Sequence, residues 1–457
     1  MAEILIAHSN HIYSDRKQTA KMQPYPPLQT LLAAAVLEEA GIDVELFDPT
    51  FDVSPERLHA PLDQHRPRLF VVCEDDFNFI SKMCLTQNRE LAFAMAKAAA
   101  ERGIPCYVHG SDSTDHADAY LDAGFRGVLI GEVEPGILEL ARGSDPERVP
   151  GLVYRRSRQN TYTKRRRQPV GLDTLPMPAW RLVDVEQYRA AWRRAHGLFS
   201  LNLVTSRGCP YRCNWCAKPV FGSNYRVRSA ESVARELRYV KTTFQPDHIW
   251  FADDIFALSP RWTREFAAEV GRLGAQIPFK MQSRCDLMTR ETVADLRQAG
   301  CTEVWMGAES GSQQVLDAMD KDIRVEDVYA ARENLGSHGI RACFFLQFGY
   351  PGEKWEDIEQ TLRMVRETSP DDVGISVSYP LPGTKFHQIV SEQIVKKSNW
   401  QDSTDLSMMF RGEFSGEFYR ALARALHAEV RGGADAHKAW TVVERLRTQT
   451  SQQVAVA

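Results

Sequence analysis

Short apolar runs alternate with amphipathic stretches along most of this chain, and they do so in two successive sets. Within residues 1–145, the runs Glu3 to His8, Val44 to Asp48, Arg68 to Glu74, Cys106 to Gly110 and Gly127 to Gly131 are short and bounded by turn residues, which predicts strands. Between them, Leu28 to Ala40, Asn88 to Arg102, Asp118 to Ala123 and Pro135 to Ala141 carry apolar residues at helical spacing. Strands alternating with helices predict an α/β unit with a parallel sheet, here of the flavodoxin-like (Rossmann-type) order. Ligands of such sheets bind beyond the carboxyl ends of the strands, so the strand-end loops are where chemistry is expected.

Residues 146–195 break the alternation. Gly151 to Tyr154 opens a hairpin, and Leu175-Pro176-Met177-Pro178-Ala179-Trp180 punctuates a linker. The second set, over 196–390, predicts strands at Leu201 to Thr205, His248 to Ala252, Phe279 to Ser283, Glu303 to Gly307, Ala342 to Phe348 and Gly374 to Tyr379, with Ala230 to Thr242 the first intervening helix. Six strands with crossover helices predict a partial or full β/α barrel, again with its chemistry at the carboxyl ends. Residues 391–457 read as a small, polar helical region, in which Phe418, Leu422 and Leu426 recur at helical spacing. Trp400, Met408, Met409 and Phe410 either line a substrate pocket or pack as core or lid; methionines and aromatics more often fill space.

Composition narrows the setting. A length of 457 residues suits two or three domains. Nine cysteines without a secretory leader predict a reducing, cytoplasmic compartment. Fifty-six basic against 60 acidic residues leave a net charge of −4, which offers no general attraction to nucleic acid. The basic run Lys164-Arg165-Arg166-Arg167 lacks interleaved aromatics and predicts a solvated hairpin. No apolar run approaches the roughly 20 residues of a membrane span, so no membrane partner is expected. The loop Ser9-Asn10-His11-Ile12-Tyr13 after the first strand has no G-x-G-x-x-G and no P-loop, which speaks against a nucleotide-phosphate site there.

The sharpest chemical signal is Arg207-Gly208-Cys209-Pro210-Tyr211-Arg212-Cys213-Asn214-Trp215-Cys216, in which three cysteines are spaced C-x3-C-x2-C after the first strand of the second set. A structural zinc site also favours closely spaced cysteines but wants a fourth Cys or His nearby, and the next are Cys285 and His248. Three thiolates suit three irons of a 4Fe-4S cubane, which normally takes four cysteines, and leave the fourth iron open to a small molecule. The pattern resembles the signature of the radical S-adenosylmethionine (SAM) superfamily, in which that iron chelates SAM. The resemblance implies that Cys209, Cys213 and Cys216 are the metal ligands and the catalytic centre.

Further segments resemble their counterparts in the superfamily's branch with an N-terminal cobalamin (B12)-binding domain. Trp215 takes the aromatic place before the third cysteine, where the family's backbone contacts adenine. Asp253 and Asp254 end the second strand, where the family receives the SAM ammonium, and carboxylates suit a cationic amine. Arg284 follows the third strand and could pair with the SAM carboxylate or form a structural salt bridge. Gly307-Ala308-Glu309-Ser310-Gly311 matches the family's G-x-E-S-G and implies that Glu309 and Ser310 meet the ribose. Gly349 to Glu353 and Tyr379 to Thr384 read mainly as scaffolding. In the first unit, Gly131-Glu132-Val133-Glu134 is close to that branch's G-E-G-E, and the resemblance implies cobalamin contacts at Asn10, His11, Glu74, Asp75, Ser111, Gly131 and Glu132. The D-x-H-x-x-G that would supply a lower histidine ligand is missing. Of the remaining cysteines, Cys106 and Cys343 read as buried hydrophobes. Should the chemistry need a thiol, Cys84, beyond Cys73, is the candidate.

These likenesses imply an enzyme that uses a 4Fe-4S cluster, SAM and cobalamin to generate a 5'-deoxyadenosyl radical from SAM, to take hydrogen from an unactivated carbon of a small-molecule substrate, and to transfer a methyl group from methylcobalamin. A flavodoxin or ferredoxin type reductant is the implied partner. The alternative within enzymes is cyclisation, oxidation, epimerisation or sulfur-atom exchange without methylation, a possibility raised by similarity to the oxygen-independent cyclases of bacteriochlorophyll synthesis. A cluster-bearing sensor or binding protein is the alternative of another class, but it would not need the residues that grip SAM.

Overall fold

The structure, a computed structural model, describes residues 2–83, 85–157, 159–164, 169–218, 220–394, 397 and 399–454. Cys84 and Arg165, Arg166 and Arg167 of the basic run lie outside the described residues.

Five parallel strands build the first sheet: β1 (Ile4–Ala7), β2 (Val44–Phe47), β3 (Leu69–Cys73), β4 (Cys106–His109) and β5 (Gly127–Leu129), in the order β2-β1-β3-β4-β5. β1 and β3 are buried on both faces because alternate residues feed two cores. Leu5, Phe70, Val72 and Val108 pack with Met95 and Ala99 of the helix Thr86–Ala100. Ile4, Ile6 and Val71 pack with the helices Leu28–Glu39 and Val133–Ala141. The hairpin expected after residue 150 exists as β6 (Leu152–Arg156) and β7 (Gln159–Tyr162), and it extends the same sheet antiparallel to β5. The stretch read as linker also contains a helix, Val185–His196, capped by the Asp184 side chain and ended by Gly197 at φ +72°. Its amphipathic repeat is interrupted by charges, and proline signals just upstream mask it in the sequence.

The second sheet is parallel and six-stranded: β8 (Ser200–Leu203), β11 (His248–Phe251), β12 (Phe279–Ser283), β13 (Cys301–Glu309), β14 (Arg341–Phe348) and β15 (Asp372–Val377), in spatial order. Two short strands, β9 (Ser206–Arg207) and β10 (Arg226–Val227), pair antiparallel and bracket the cysteine loop. β8 and β15 are the two edges, so the sheet is an open, partial barrel. Phe251 and Phe279 turn toward the helix Pro260–Arg272, their rings 5.9 and 6.3 Å from Phe266. The opposite face carries Ser200, Asn202, Trp250, Lys280, Gln282, Trp305 and Phe345. Part of it is plugged by Met22–Pro27 of the first unit: Asn202 donates to the Pro26 carbonyl at 3.0 Å, and Tyr25 packs on Trp250 at 4.8 Å.

Helices Lys385–Val390, Gly416–Val430 and Ala436–Val454 form the C-terminal region. The tract between the first two returns to the first unit. Thr86 N–H donates to the Trp400 carbonyl at 3.0 Å, and the Ser403 amide and hydroxyl both donate to Asp15 at 2.8 Å. Trp400, Met409 and Phe410 are buried, and Trp400 stacks on Tyr379 at 4.5 Å. Among the described residues no helix is long and apolar enough to cross a membrane.

Candidate functional site

The cysteine loop starts where β9 leaves the carboxyl end of the second sheet. Gly208 makes the turn at φ +78°, and a Cβ there would lie 2.7 Å from the Asn224 carbonyl oxygen, so only glycine fits. Asn214 then pins the loop centre. Its side-chain amide donates to the Ala318 carbonyl at 2.7 Å and to Asp320 at 3.1 Å, its side-chain oxygen accepts from the Tyr350 hydroxyl at 3.1 Å, and its backbone bonds Met319 and Phe386. Lys218 Nζ donates to the Cys209 carbonyl at 2.9 Å and also to that of Tyr211.

Cys209, Cys213 and Cys216 are all half-buried and free. Burial, then the Asp254 carboxylate, pushes the Cys216 thiol up to about 12, and burial raises Cys209 as well. As thiolates these groups therefore need an added positive charge, which bound iron supplies. Among the described residues no three His, Cys, Asp or Glu converge as the ligands of a single ion would.

Around the loop, the residues expected to grip SAM are brought to one rim, but most already have protein partners. Asp253 is buried and accepts from Thr205 N–H at 3.0 Å, from the Thr205 hydroxyl at 2.8 Å and from the Ser206 hydroxyl. Burial lifts its carboxyl to about 6 despite these bonds. Asp254 pairs with Lys82 of the first unit. Arg284 bonds Asp286 at 2.9 Å and the carbonyls of Lys321 and Asp322 at 2.9 and 2.8 Å, while lying 3.6 Å over the Tyr211 ring. Its guanidinium thus braces the cysteine loop. Glu309, at φ +59°, pairs with buried Lys321 at 2.7 Å. A Cβ on Gly307 would sit 2.5 Å from the Glu309 carboxylate, and one on Gly311 2.5 Å from the Gln360 carbonyl. The glycines of this motif therefore admit the protein's own groups. Ser310 shares its hydroxyl with Thr361 at 3.1 Å and accepts from Ser312 N–H. Trp215 packs against Tyr350, Phe386 and Phe410, and its indole N–H is buried without a partner among the described residues.

The strand-end loops of the first unit face this rim. Phe77 stacks on Phe221 at 5.4 Å, and Arg207 lies 5.0 Å over Phe221. Glu132 accepts from Arg207 at 3.0 Å, from Arg226 at 2.8 Å and from Val170 N–H at 2.9 Å, so it serves as an anchor between the two units. Gly131 beside it has φ +81°. Glu74 accepts from Ser9 N–H at 3.1 Å, and Asp75 accepts from Gln29 and Phe77 N–H at 3.1 and 3.3 Å; burial raises the Asp75 carboxyl to about 6. Ser111 donates twice to Asp76, from its amide at 3.1 Å and its hydroxyl at 3.0 Å. Asn10 is half-buried, and its amide bonds His8. His11 bonds the Asp52 carbonyl through Nδ1 at 3.3 Å, while its buried Nε2 has no partner among the described residues; burial pushes this imidazole down to about 4 and so keeps it neutral.

Sequence reasoning passed over Arg207, Lys218 and Lys321. Arg207 draws its importance from Glu132 and Glu134, far back in the chain, whereas Lys218 and Lys321 act on groups within one loop or strand end, and only the adjacency of Arg207 and Lys218 to the cysteines hinted at a role. Cys73, Cys106 and Cys343 are buried, as befits hydrophobes.

Residues 203–365 match the family model described as the radical SAM superfamily. An uncharacterised methyltransferase of Pyrococcus horikoshii is 24% identical over 274 residues, covering 60% of this chain and 59% of the relative. The hopanoid C-3 methylase of Methylococcus capsulatus is 28% identical over 395 residues, covering 81% of this chain and 70% of the relative. Among solved structures, the radical SAM methyltransferase TsrM of Kitasatospora setae, with cobalamin and a 4Fe-4S cluster bound, superposes with a TM-score of 0.71 at 20% identity over 86% of this chain and 75% of that one. The cobalamin-dependent SAM radical enzyme OxsB, with aqua-cobalamin and SAM bound, gives 0.72 at 17% identity over 98% of this chain and 72% of that one. At such identities the structural likeness speaks for the shared fold.

Proposed function

Through residues 203–365 this chain belongs to the radical SAM superfamily, and on that premise we propose that it is a cobalamin-dependent radical SAM methyltransferase acting on a small molecule. The observation that carries this reading is the loop of Cys209, Cys213 and Cys216, rooted at the carboxyl end of the open sheet and facing the strand-end loops of the first unit. The cluster and cobalamin, when bound, supply one-electron cleavage of SAM to methionine and a 5'-deoxyadenosyl radical, and a methyl group for the substrate radical left after hydrogen transfer. The chain's own residues do the rest. Cys209, Cys213 and Cys216 hold the iron. Asn214, Arg284 and Lys218 fix the loop that presents it. The rim of Asp254, Glu309 and Ser310, with the backbone at Trp215, would bind SAM. His11 and Gly131 would contact cobalamin. Phe77 stacks on Phe221 where the two units meet. A flavodoxin or ferredoxin type reductant delivers the electron.

Anaerobic reconstitution with iron, sulfide, hydroxocobalamin and SAM tests the proposal. Reduced wild-type protein should form 5'-deoxyadenosine, together with S-adenosylhomocysteine because the methyl group would come from a second SAM, and Cys213→Ala should form neither. Equal 5'-deoxyadenosine from the variant overturns the radical reading. A wild-type protein that makes 5'-deoxyadenosine yet retains no cobalamin overturns methylation alone and returns the non-methylating outcomes.

A further inference from the structure

Three cations beside the cysteine loop are each held by a carboxylate. Lys82 pairs with Asp254, Arg284 with Asp286 at 2.9 Å and Lys321 with Glu309 at 2.7 Å. Lys218, half-buried and just beyond Cys216, is placed differently. Its ammonium donates to the backbone carbonyl of Cys209 at 2.9 Å and to that of Tyr211, and among the described residues it forms no ion pair with a carboxylate. Two other charges complete the surroundings. Arg212 is exposed, so water and salt screen it, and Asp322, whose carboxylate is felt by Tyr211, is of the opposite sign.

The two carbonyls fix where this charge stands. Lys218 follows the third cysteine and bonds the backbone of the first, so the segment that carries all three thiols is closed on itself by an ammonium. Its field reaches the sulfurs. Burial opposes the thiolate of Cys216 most and Asp254 opposes it further, whereas Lys218 favours it; Lys218 favours the Cys209 thiolate as well. An oxidised cubane bound by three thiolates already carries net negative charge, and an added electron deepens it by one. A fixed cation nearby stabilises the more negative, reduced state more than the oxidised one, and net charge is among the quantities that set a cluster's potential.

We propose that Lys218 is a positioning residue for electron transfer: held by the Cys209 and Tyr211 carbonyls, its ammonium raises the reduction potential of the 4Fe-4S cluster on this loop, so that a flavodoxin or ferredoxin type reductant gives up one electron to it more readily. This inference rests on the reading of Cys209, Cys213 and Cys216 as the ligands of that cluster; it needs neither cobalamin nor methyl transfer. Lys82, Arg284 and Lys321 contribute less, because the carboxylate beside each cancels much of its field.

An EPR-monitored redox titration of the full chain, reconstituted anaerobically with iron and sulfide and kept free of SAM, reads the potential itself. Lys218→Gln keeps a donor for the loop carbonyls but removes the charge, and Lys218→Arg keeps both. At wild-type iron content, Lys218→Gln should make reduction about tenfold less favourable, a midpoint about 59 mV lower for one electron, while Lys218→Arg should titrate with wild type. A Lys218→Gln midpoint equal to wild type overturns the proposal, and so does a fall shared equally by Lys218→Arg, which would trace the effect to the shape of lysine. Should Lys218→Gln take up less iron, Lys218→Arg decides: full iron uptake by it supports a role for the charge, and a matching loss overturns that role. A wild-type chain that assembles no 4Fe-4S cluster overturns the ligand reading and this proposal together. An unchanged Lys218→Gln midpoint in a protein that forms 5'-deoxyadenosine removes the role of Lys218 alone, and a lowered midpoint in one that forms none removes the radical reading alone.

Discussion

At the residue scale, the cysteine loop shows how side chains without redox chemistry decide whether a cluster can be held. Asn214 sits between two cysteines, and its side chain makes three hydrogen bonds to groups from Ala318, Asp320 and Tyr350. Each such bond is worth about 1 kcal/mol net, and a buried partner left unpaired costs more. Asn214→Ala should therefore lose about 2–4 kcal/mol of local stability, read as a lower iron content per chain after anaerobic reconstitution and faster loss of the 4Fe-4S absorption under a chelator. Iron content equal to wild type would show that the loop is set by its backbone alone. Arg284 teaches the complementary lesson. The sequence marks it as a strand-end cation with Asp286 two residues on, yet its guanidinium is also taken up by two carbonyls and the Tyr211 ring, which adjacency does not reveal.

Elements place these residues through their ends. The turn after β14 is closed by Glu353, which accepts from Gly349 N–H and is almost wholly buried. Burial, with the Asp357 carboxylate adding to it, raises this acid to about 8, so it keeps its proton near neutrality. A carboxyl whose folded pKa lies above its unfolded value of 4.5 stabilises the fold most at low pH, and this contribution falls as pH rises from 4.5 to about 8. Glu353→Gln cannot ionise. Its unfolding midpoint should gain on wild type as pH rises from 5 to 8, followed by thermal melts at both values; a difference that does not change with pH would contradict the protonated state. The strands of both sheets were legible as short apolar runs because period and bounding turns agree. The helix Val185–His196 was not, because prolines lie close before it and its apolar residues are few.

On the scale of the whole molecule, the two units are joined by buried charge. Arg207 pairs with Glu132 at 3.0 Å and with Glu134 at 2.5 Å, and Glu134 also accepts from Gln29 at 3.1 Å. Burial alone would raise Glu134, but the Arg207 charge and hydrogen bonds outweigh it and hold the carboxyl at about 2. That contribution is complete above the unfolded value of 4.5 and is lost as pH falls toward 2. Arg207→Met should cost about 3–5 kcal/mol at pH 7, because the Glu134 carboxylate is left buried without its cation. The deficit should shrink below pH 4.5, and the double variant Arg207→Met, Glu134→Gln should recover part of it in denaturant titrations. An Arg207→Met protein as stable as wild type at pH 7 would show that the units are held by packing instead. The return of the C-terminal tract, through Ser403 onto Asp15, closes the molecule from the other side.

By itself the sequence determined the order of elements, two parallel α/β sheets and the three cysteines with the strand-end motifs around them, because hydrophobic period, turn residues and cysteine spacing are local properties. Only the tertiary structure decided which of those polar residues are already spent on one another. Glu132 reads from the sequence as a cofactor contact and becomes an anchor for Arg207 and Arg226, and Gly307 makes room for Glu309 and Lys321. The free energy of a charge depends on what stands within a few ångströms of it, and a sequence does not record which partners folding brings that close.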